Sequence, residues 1–256
     1  MLIIVPPSES KRPPAAAGAP VDLDRLSFPE LTATRRTIAD ALVRTSGDLD
    51  AFRRLQVRPT KAPEVAANTH LFELPAVPVL ELYTGPLHDG LDSAGLSRAA
   101  AERAQGSLVV NSALWGLLRP SDRVPPYRLH VCAHLVGLED IEPLWRESVP
   151  DVLAKAAGPA GVVVDLRSPT YQATGRPAGL GDRTVTLRVD LGPRGDRIGD
   201  VVAKRVRGEA AHHLLERGVD PQDAGELAAV LAARWPARLA PPDRAGHAWT
   251  LTLSID

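Results

Sequence analysis

The segment Asn111-Ser112-Ala113-Leu114-Trp115-Gly116-Leu117-Leu118-Arg119-Pro120-Ser121-Asp122-Arg123-Val124-Pro125-Pro126-Tyr127-Arg128 gathers more chemistry-bearing side chains than any other stretch of the chain. The guanidinium groups of Arg119, Arg123 and Arg128 are planar donor forks that suit phosphates and carboxylates. Prolines at 120, 125 and 126 hold φ near about −65°, which reduces the entropy lost when such a loop meets a ligand. Two readings follow. The segment holds an anion, or Asp122 and the arginines form a network that clamps a long loop to its own domain.

A second basic run, Lys204-Arg205-Val206-Arg207-Gly208, falls in a long helical stretch expected over about 199–217. At helical spacing Lys204 and Arg207 share a face, and a solvated face is the plain alternative to a binding one. Gly208 costs a helix about 1 kcal/mol relative to Ala, so it hints at close approach of a partner or another element. Polar residues also follow runs that read as buried strands: Ser8 after Leu2–Val5, Asn111 after Leu108–Val110, and Ser168 with Tyr171 after Gly161–Leu166. Polar exits of this kind are common ligand positions in α/β proteins. No cofactor and no metal site is expected. His212 and His213 are adjacent and point to different helix faces, the other histidines are scattered, and glycine-rich phosphate loops and nucleophile elbows are absent from the sequence.

These residues need a scaffold, and 256 residues with 44% hydrophobic and 24% charged content suffice for a sizeable core. Aromatics make up only 4%, so Val, Leu, Ile and Ala must build that core. The net charge of −1 gives the molecule no overall cationic field to draw it onto nucleic acid, so such binding would rest on local patches. Cys132 stands alone, which leaves no internal disulfide and fits a reducing cytoplasm. No apolar run approaches the roughly 20 residues that span a bilayer, and Met1–Val5 is too short for a secretion signal.

Between the strand-like runs, helices are expected over about 29–43, 49–57, 97–105, 141–157 and 199–217. A further helix is expected to start at Asp220, as its N-cap, with Pro221 at its first position, and to run to about Arg234. The stretch 12–22 reads as a Pro-, Ala- and Gly-rich loop. Leu114–Leu118 reads as a short helical or turn element, Arg128–Leu135 as a strand, Val185–Asp190 as a half-exposed strand, and Trp249–Ile255 as a final strand. Strands interleaved with helices, without repeat or linker, indicate a single mixed α/β domain over 1–256, a central mixed sheet flanked by helices.

The order of several motifs resembles the YaaA family of bacterial peroxide-stress proteins from end to end. They are Met1–Val5 with Pro7; Tyr83-Thr84-Gly85; Gly116 with Leu118-Arg119-Pro120, Asp122 and Pro126-Tyr127-Arg128-Leu129; Trp145; Leu166, Ser168 and Tyr171; and Ala203-Lys204-Arg205 with Arg207-Gly208. The resemblance implies an unusual mixed α/β fold and a cytoplasmic protein. It also implies that the protein lowers peroxide damage, limits free iron and binds DNA through a helix-hairpin-helix-like element. The chain departs from the family in two places. Ser8-Glu9-Ser10 precedes Lys11 where the family carries a lysine sooner, and Ala-, Arg- and Pro-rich sequence from Ala228 to Pro242 replaces a glycine-aromatic region. The leading expectation is DNA held in a basic cleft by Lys204, Arg205 and Arg207 with Arg119, Arg123 and Arg128. The alternative is an enzyme or binding protein whose pocket takes a nucleotide, nucleobase or other small anionic ligand, built from Ser8, Asn111, Arg119, Asp122, Tyr127, Arg128, Ser168, Tyr171 and Lys204.

Overall fold

A computed structural model of the chain describes residues 1–138, 140–192 and 198–255. In chain order its elements are β1 (Leu2–Val5), α1 (Thr32–Ser46), α2 (Ala51–Arg54), α3 (Ala62–Asn68), β2 (Val77–Pro78), α4 (Val79–Leu82), α5 (Pro86–Leu91), α6 (Arg98–Ser107), β3 (Leu108–Ser112), β4 (Gly116–Leu118) and β5 (Arg123–Val124). The second half adds α7 (Ile141–Arg146), α8 (Val149–Ala157), β6 (Val163–Asp165), α9 (Pro169–Gln172), β7 (Thr184–Leu191), α10 (Asp200–Arg217), α11 (Ala224–Ala232), β8 (Ala237–Ala240) and β9 (Trp249–Ile255). The mixed α/β class and the central mixed sheet expected from the sequence are what the chain forms.

The main sheet has the order β4-β3-β1-β6-β7-β9-β8. Strands β3, β1, β6, β7 and β9 run parallel, and β4 and β8 close the two edges antiparallel. Every residue of β1, β3 and β6 is buried, as the unbroken apolar runs require when helices cover both faces. The chain leaves β1 for β3 on one side and later returns for β6 on the other. That reversal opens a crevice beyond the carboxyl ends of β1, β3 and β6, the usual ligand position in open α/β sheets.

Several local expectations are corrected. Leu114–Leu118 is a turn only at its start: after Leu114 and Trp115, Gly116–Leu118 doubles back as strand β4, pairing Ser112 with Gly116. The Ser112 hydroxyl accepts from the amides of Leu114 and Trp115, and Gly116 takes φ +62°, where a Cβ would also lie 2.7 Å from the Trp145 ring. Arg128–Leu135 forms no strand, because its backbone groups are taken by other partners. Arg128 N donates to the Asn68 side chain, His134 N to the Arg54 carbonyl and Ala133 N to His130. The helix expected over 141–157 is two helices that break at 147–148, just before Pro150. The last helix is capped by Asp223, whose carboxylate accepts from Glu226 N, while Asp220 pairs with the amino group of Met1. The Ala-, Arg- and Pro-rich stretch after Ala228 supplies the end of α11 and strand β8.

Helices α5 and α10 cross at van der Waals contact because each presents a glycine to the other. A Cβ on Gly208 would lie 1.9 Å from the Leu87 carbonyl oxygen, and one on Gly90 would lie 2.2 Å from that of Arg205. The close approach inferred from Gly208 is therefore contact with a neighbouring helix. Gly208→Ala should force the helices apart and destabilise the protein by about 2 kcal/mol or more. Gly106→Ala in α6, where nothing lies within 4 Å of the added methyl, should instead stabilise by up to about 1 kcal/mol. Urea unfolding of the two variants checks both; a Gly208→Ala protein as stable as the parent would contradict the contact.

Candidate functional site

The carboxyl edge of the central strands is organised by Arg167. Its side chain has no solvent exposure and Asp165 has 2%, and the two form a two-pronged ion pair, with Nε to Oδ1 at 2.9 Å and Nη2 to Oδ2 at 2.8 Å. Nη1 donates to Asn111 Oδ1 at 2.7 Å and to the Gly175 carbonyl at 2.9 Å. Thr174 Oγ1 donates to the same Asn111 oxygen at 3.0 Å. A buried charge is tolerated only when its donors are met in this way. The network ties β6 to β3 and fixes the loop that carries Ser168 and Tyr171.

Above this floor lies a cavity of about 380 Å³ lined by the Pro6–Ser10 strap, Pro86–His88, His130, Ser168, Tyr171, Asp200, Lys204 and Arg207. The packing of α5 on α10 brings His88 to the same cavity as the Lys204/Arg207 face. His88 is 8% exposed; its Nε2 lies 3.3 Å from the Pro6 carbonyl and its Nδ1 has no partner among the described residues. Burial lowers its pKa to about 4, with Lys11 acting in the same sense and the Pro6 hydrogen bond and Asp89 opposing, so the ring is neutral near pH 7. Arg207 Nε is likewise buried and without a described partner, and burial pulls that guanidinium below its ordinary value. Lys204 Nζ pairs with Asp200 at 2.6 Å.

Across the strap, a cavity of about 310 Å³ is walled by Pro13, Pro14, Pro63, Ala67, Pro126 and Tyr127, with Lys11 and Glu9 on its rim. Three hydroxyls form a chain beneath it. Tyr127 bonds to Ser112 at 2.7 Å and to Tyr83 at 2.9 Å. Burial raises Tyr127 to about 12 and Tyr83 well above its ordinary value, so both keep their protons at neutral pH. The Lys11 ammonium group sits 4.1 Å from the Tyr127 ring centre and 5.5 Å from that of Tyr83. Burial first, and Arg128 second, lower Lys11 to about 7, against the smaller opposing pull of Glu9 and Glu64.

The structure places Ser168, Tyr171, Lys204 and Arg207 around one cavity and Tyr127 along the other, while Asn111 lies in the buried Arg167 network. Arg128 holds the strap, with Nη2 2.6 Å from Glu9. Other residues of the opening segment lie elsewhere. Arg119 follows β4 to the amino end of β3, where it donates to the Gly106 carbonyl at 2.7 Å and stacks over Phe28. Asp122 accepts from Arg119 N at 2.7 Å and from Ser27 N at 2.9 Å. Arg123 donates to the Ala76 carbonyl at 2.9 Å, and Arg205 turns away from the crevice to Glu209 at 3.4 Å. The loop-clamping reading therefore describes Arg119, Asp122 and Arg123, while Tyr127 lines the proline-walled cavity and Arg128 clamps the strap. Lys11 and His88 were not among the expected site residues. Lys11 was visible only as a lysine placed late after Pro7, and His88 sits in a helix too short for a periodic signal.

Arg167→Met should leave Asp165 buried and uncompensated and cost about 3–5 kcal/mol in urea unfolding. His88 gives a pH signature. Between about pH 6.5, where an unfolded histidine titrates, and about 4, the unfolded chain binds a proton that the native one does not, so acid removes stability. His88→Gln should flatten that loss over the same interval when unfolding free energies are compared from pH 7.5 to 4.5; parallel curves would place His88 in water.

Comparison with known proteins bears on the whole chain. Residues 1–235 match the family model described as peroxide stress protein YaaA. A UPF0246 protein of Streptomyces coelicolor is 38% identical over 259 aligned residues, covering 100% of this chain and 98% of its own length. One from Corynebacterium efficiens is 38% identical over 89% of this chain and 90% of its own, and one from Corynebacterium glutamicum is 32% identical over the full length of both. The resemblance read from the motifs holds at full length, and the chain belongs to the peroxide stress protein YaaA family.

Proposed function

We propose that this protein serves in the response to peroxide stress, as the family description suggests, and that it does so by holding a small anionic ligand of nucleotide or related type in the crevice at the carboxyl ends of β1, β3 and β6. The observation that carries the reading is the cavity lined by His88, Lys204 and Arg207, where Arg207 Nε is a buried donor with no partner among the described residues. A buried donor of this kind costs free energy until a ligand meets it. An anion with a planar or apolar portion would use both cavities, its charge near Arg207 and its remainder along the proline-walled side. The single cysteine, exposed and free, suits a reducing compartment such as the cytoplasm.

The DNA-binding reading that the resemblance implies draws less support from the arrangement of charge. Lys204 is paired with Asp200, Arg205 and Arg234 both meet Glu209, and Asp220 and Asp223 flank the turn between α10 and α11. These carboxylates offset the charge that phosphates would seek. A role in limiting free iron enters this proposal as an effect in the cell and is assigned to no side chain.

Thermal shifts with inorganic phosphate, AMP, ATP and GTP test the proposal against a DNA duplex titrated at 50 and 200 mM salt. At a hundredfold excess over Kd, one of the small anions should raise Tm by about 5 °C or more. The rise should disappear in Arg207→Gln and shrink in Lys204→Gln. Duplex binding that falls steeply with salt, together with no shift from any small anion, would replace this reading with the DNA one.

A further inference from the structure

The lysines of this chain differ in one respect. Lys61 pairs with Glu64 at 2.7 Å, Lys155 with Glu30 at 3.4 Å and Lys204 with Asp200 at 2.6 Å. Lys11 has no carboxylate partner among the described residues, although Glu9 and Glu64 line the same cavity, because Arg128 holds both, at 2.6 and 3.5 Å. Its amino group instead contacts the Ser8 carbonyl at 2.7 Å and the Glu9 carbonyl at 3.4 Å, and faces the Tyr127 ring. Two backbone carbonyls fix the amine in direction without supplying a counter-charge. The proline-walled cavity lies beside it.

We propose that Lys11 is a nucleophilic lysine that condenses with the carbonyl carbon of a small aldehyde or ketone bound in this crevice. The amine lone pair attacks the carbonyl carbon, a C–N bond forms, and the oxygen takes up a proton to give a carbinolamine. Loss of the hydroxyl as water, with both amine protons leaving, gives an imine, so that carbonyl compound and amine yield imine and water with no oxidant or reductant. Tyr127 lines the cavity with its ring against Lys11, and its hydroxyl, protonated in the chain to Ser112 and Tyr83, is the group assigned to pass a proton to the departing oxygen. Desolvation of Lys11, which leaves about half the amine neutral near pH 7, supports the assignment. The inference rests on the preceding reading only in giving the carbonyl compound an anionic group.

The test uses the intact protein with dihydroxyacetone phosphate or with uncharged dihydroxyacetone, each with sodium cyanoborohydride at pH 7, followed by peptide mapping. The reduced adduct should form on Lys11 about tenfold or more faster than on Lys61, Lys155 or Lys204, with a rate half-maximal near pH 7. Lys11→Arg, with an unchanged thermal melt, should lose that adduct and keep the slow background. Preference for the phosphorylated probe supports both proposals. Equal labelling of Lys11 by the two probes supports the nucleophile and removes the anion requirement. Labelling of Lys11 no faster than the other lysines with both probes overturns the inference, whatever the thermal shifts show.

Discussion

A guanidinium group buried where strands end is the constraint on which this structure depends. Arg167 leaves β6 directly into the interior, and water cannot reach it, so each of its donors must meet a protein acceptor. Asp165 supplies charge, Asn111 draws in β3, and the Gly175 carbonyl draws in the loop after α9. An ion pair of this type contributes little net stability over an apolar replacement, since desolvating both charges offsets their attraction. It does impose one arrangement of three segments, and those segments carry the polar groups at the crevice.

The contact between α5 and α10 has a comparable effect from the opposite wall. Glycine on each helix lets the backbones meet, which sets α10 close enough for Lys204 and Arg207 to line the cavity beside His88. The same rotation of α10 sends Arg205 to the other side, to Glu209. A run of basic residues along a sequence is therefore divided by the helix between a cavity and an outer surface.

Much of this was legible in the sequence. Leu2–Val5 and Leu108–Val110 announce buried strands by their unbroken apolar character; of the polar groups after such runs, Ser8 and Ser168 line one cavity and Asn111 lies in the buried Arg167 network. The basic helix was placed well and its glycine correctly read as a point of close approach. Where reading failed, the cause was competition for backbone hydrogen bonds that no periodicity reveals. Residues 128–135 look extended, yet α2, α3 and their neighbours take their amides. Pro150 divides one amphipathic pattern into two helices. The arginine loop misled in part because Arg119 and Arg128 have the same chemistry on paper. The β3–β4 hairpin sends Arg119 back to the amino end of the sheet, and the prolines at 125 and 126 return the chain toward the carboxyl end. Lys11 was hard to find because its environment comes from Tyr83 and Tyr127, far away along the chain.

The family match ends at residue 235, just before strand β8, yet the sheet does not end there. Strand β9 lies between β7 and β8, and it is β9 that satisfies the outer backbone groups of β7 along the register from Val185 to Leu191. A chain cut at the family boundary would retain every element of the crevice and expose β7 as a long open edge. Unpaired edges of that length recruit strands from other molecules. In this fold the last two strands close that edge, so the integrity of the sheet extends past the family boundary.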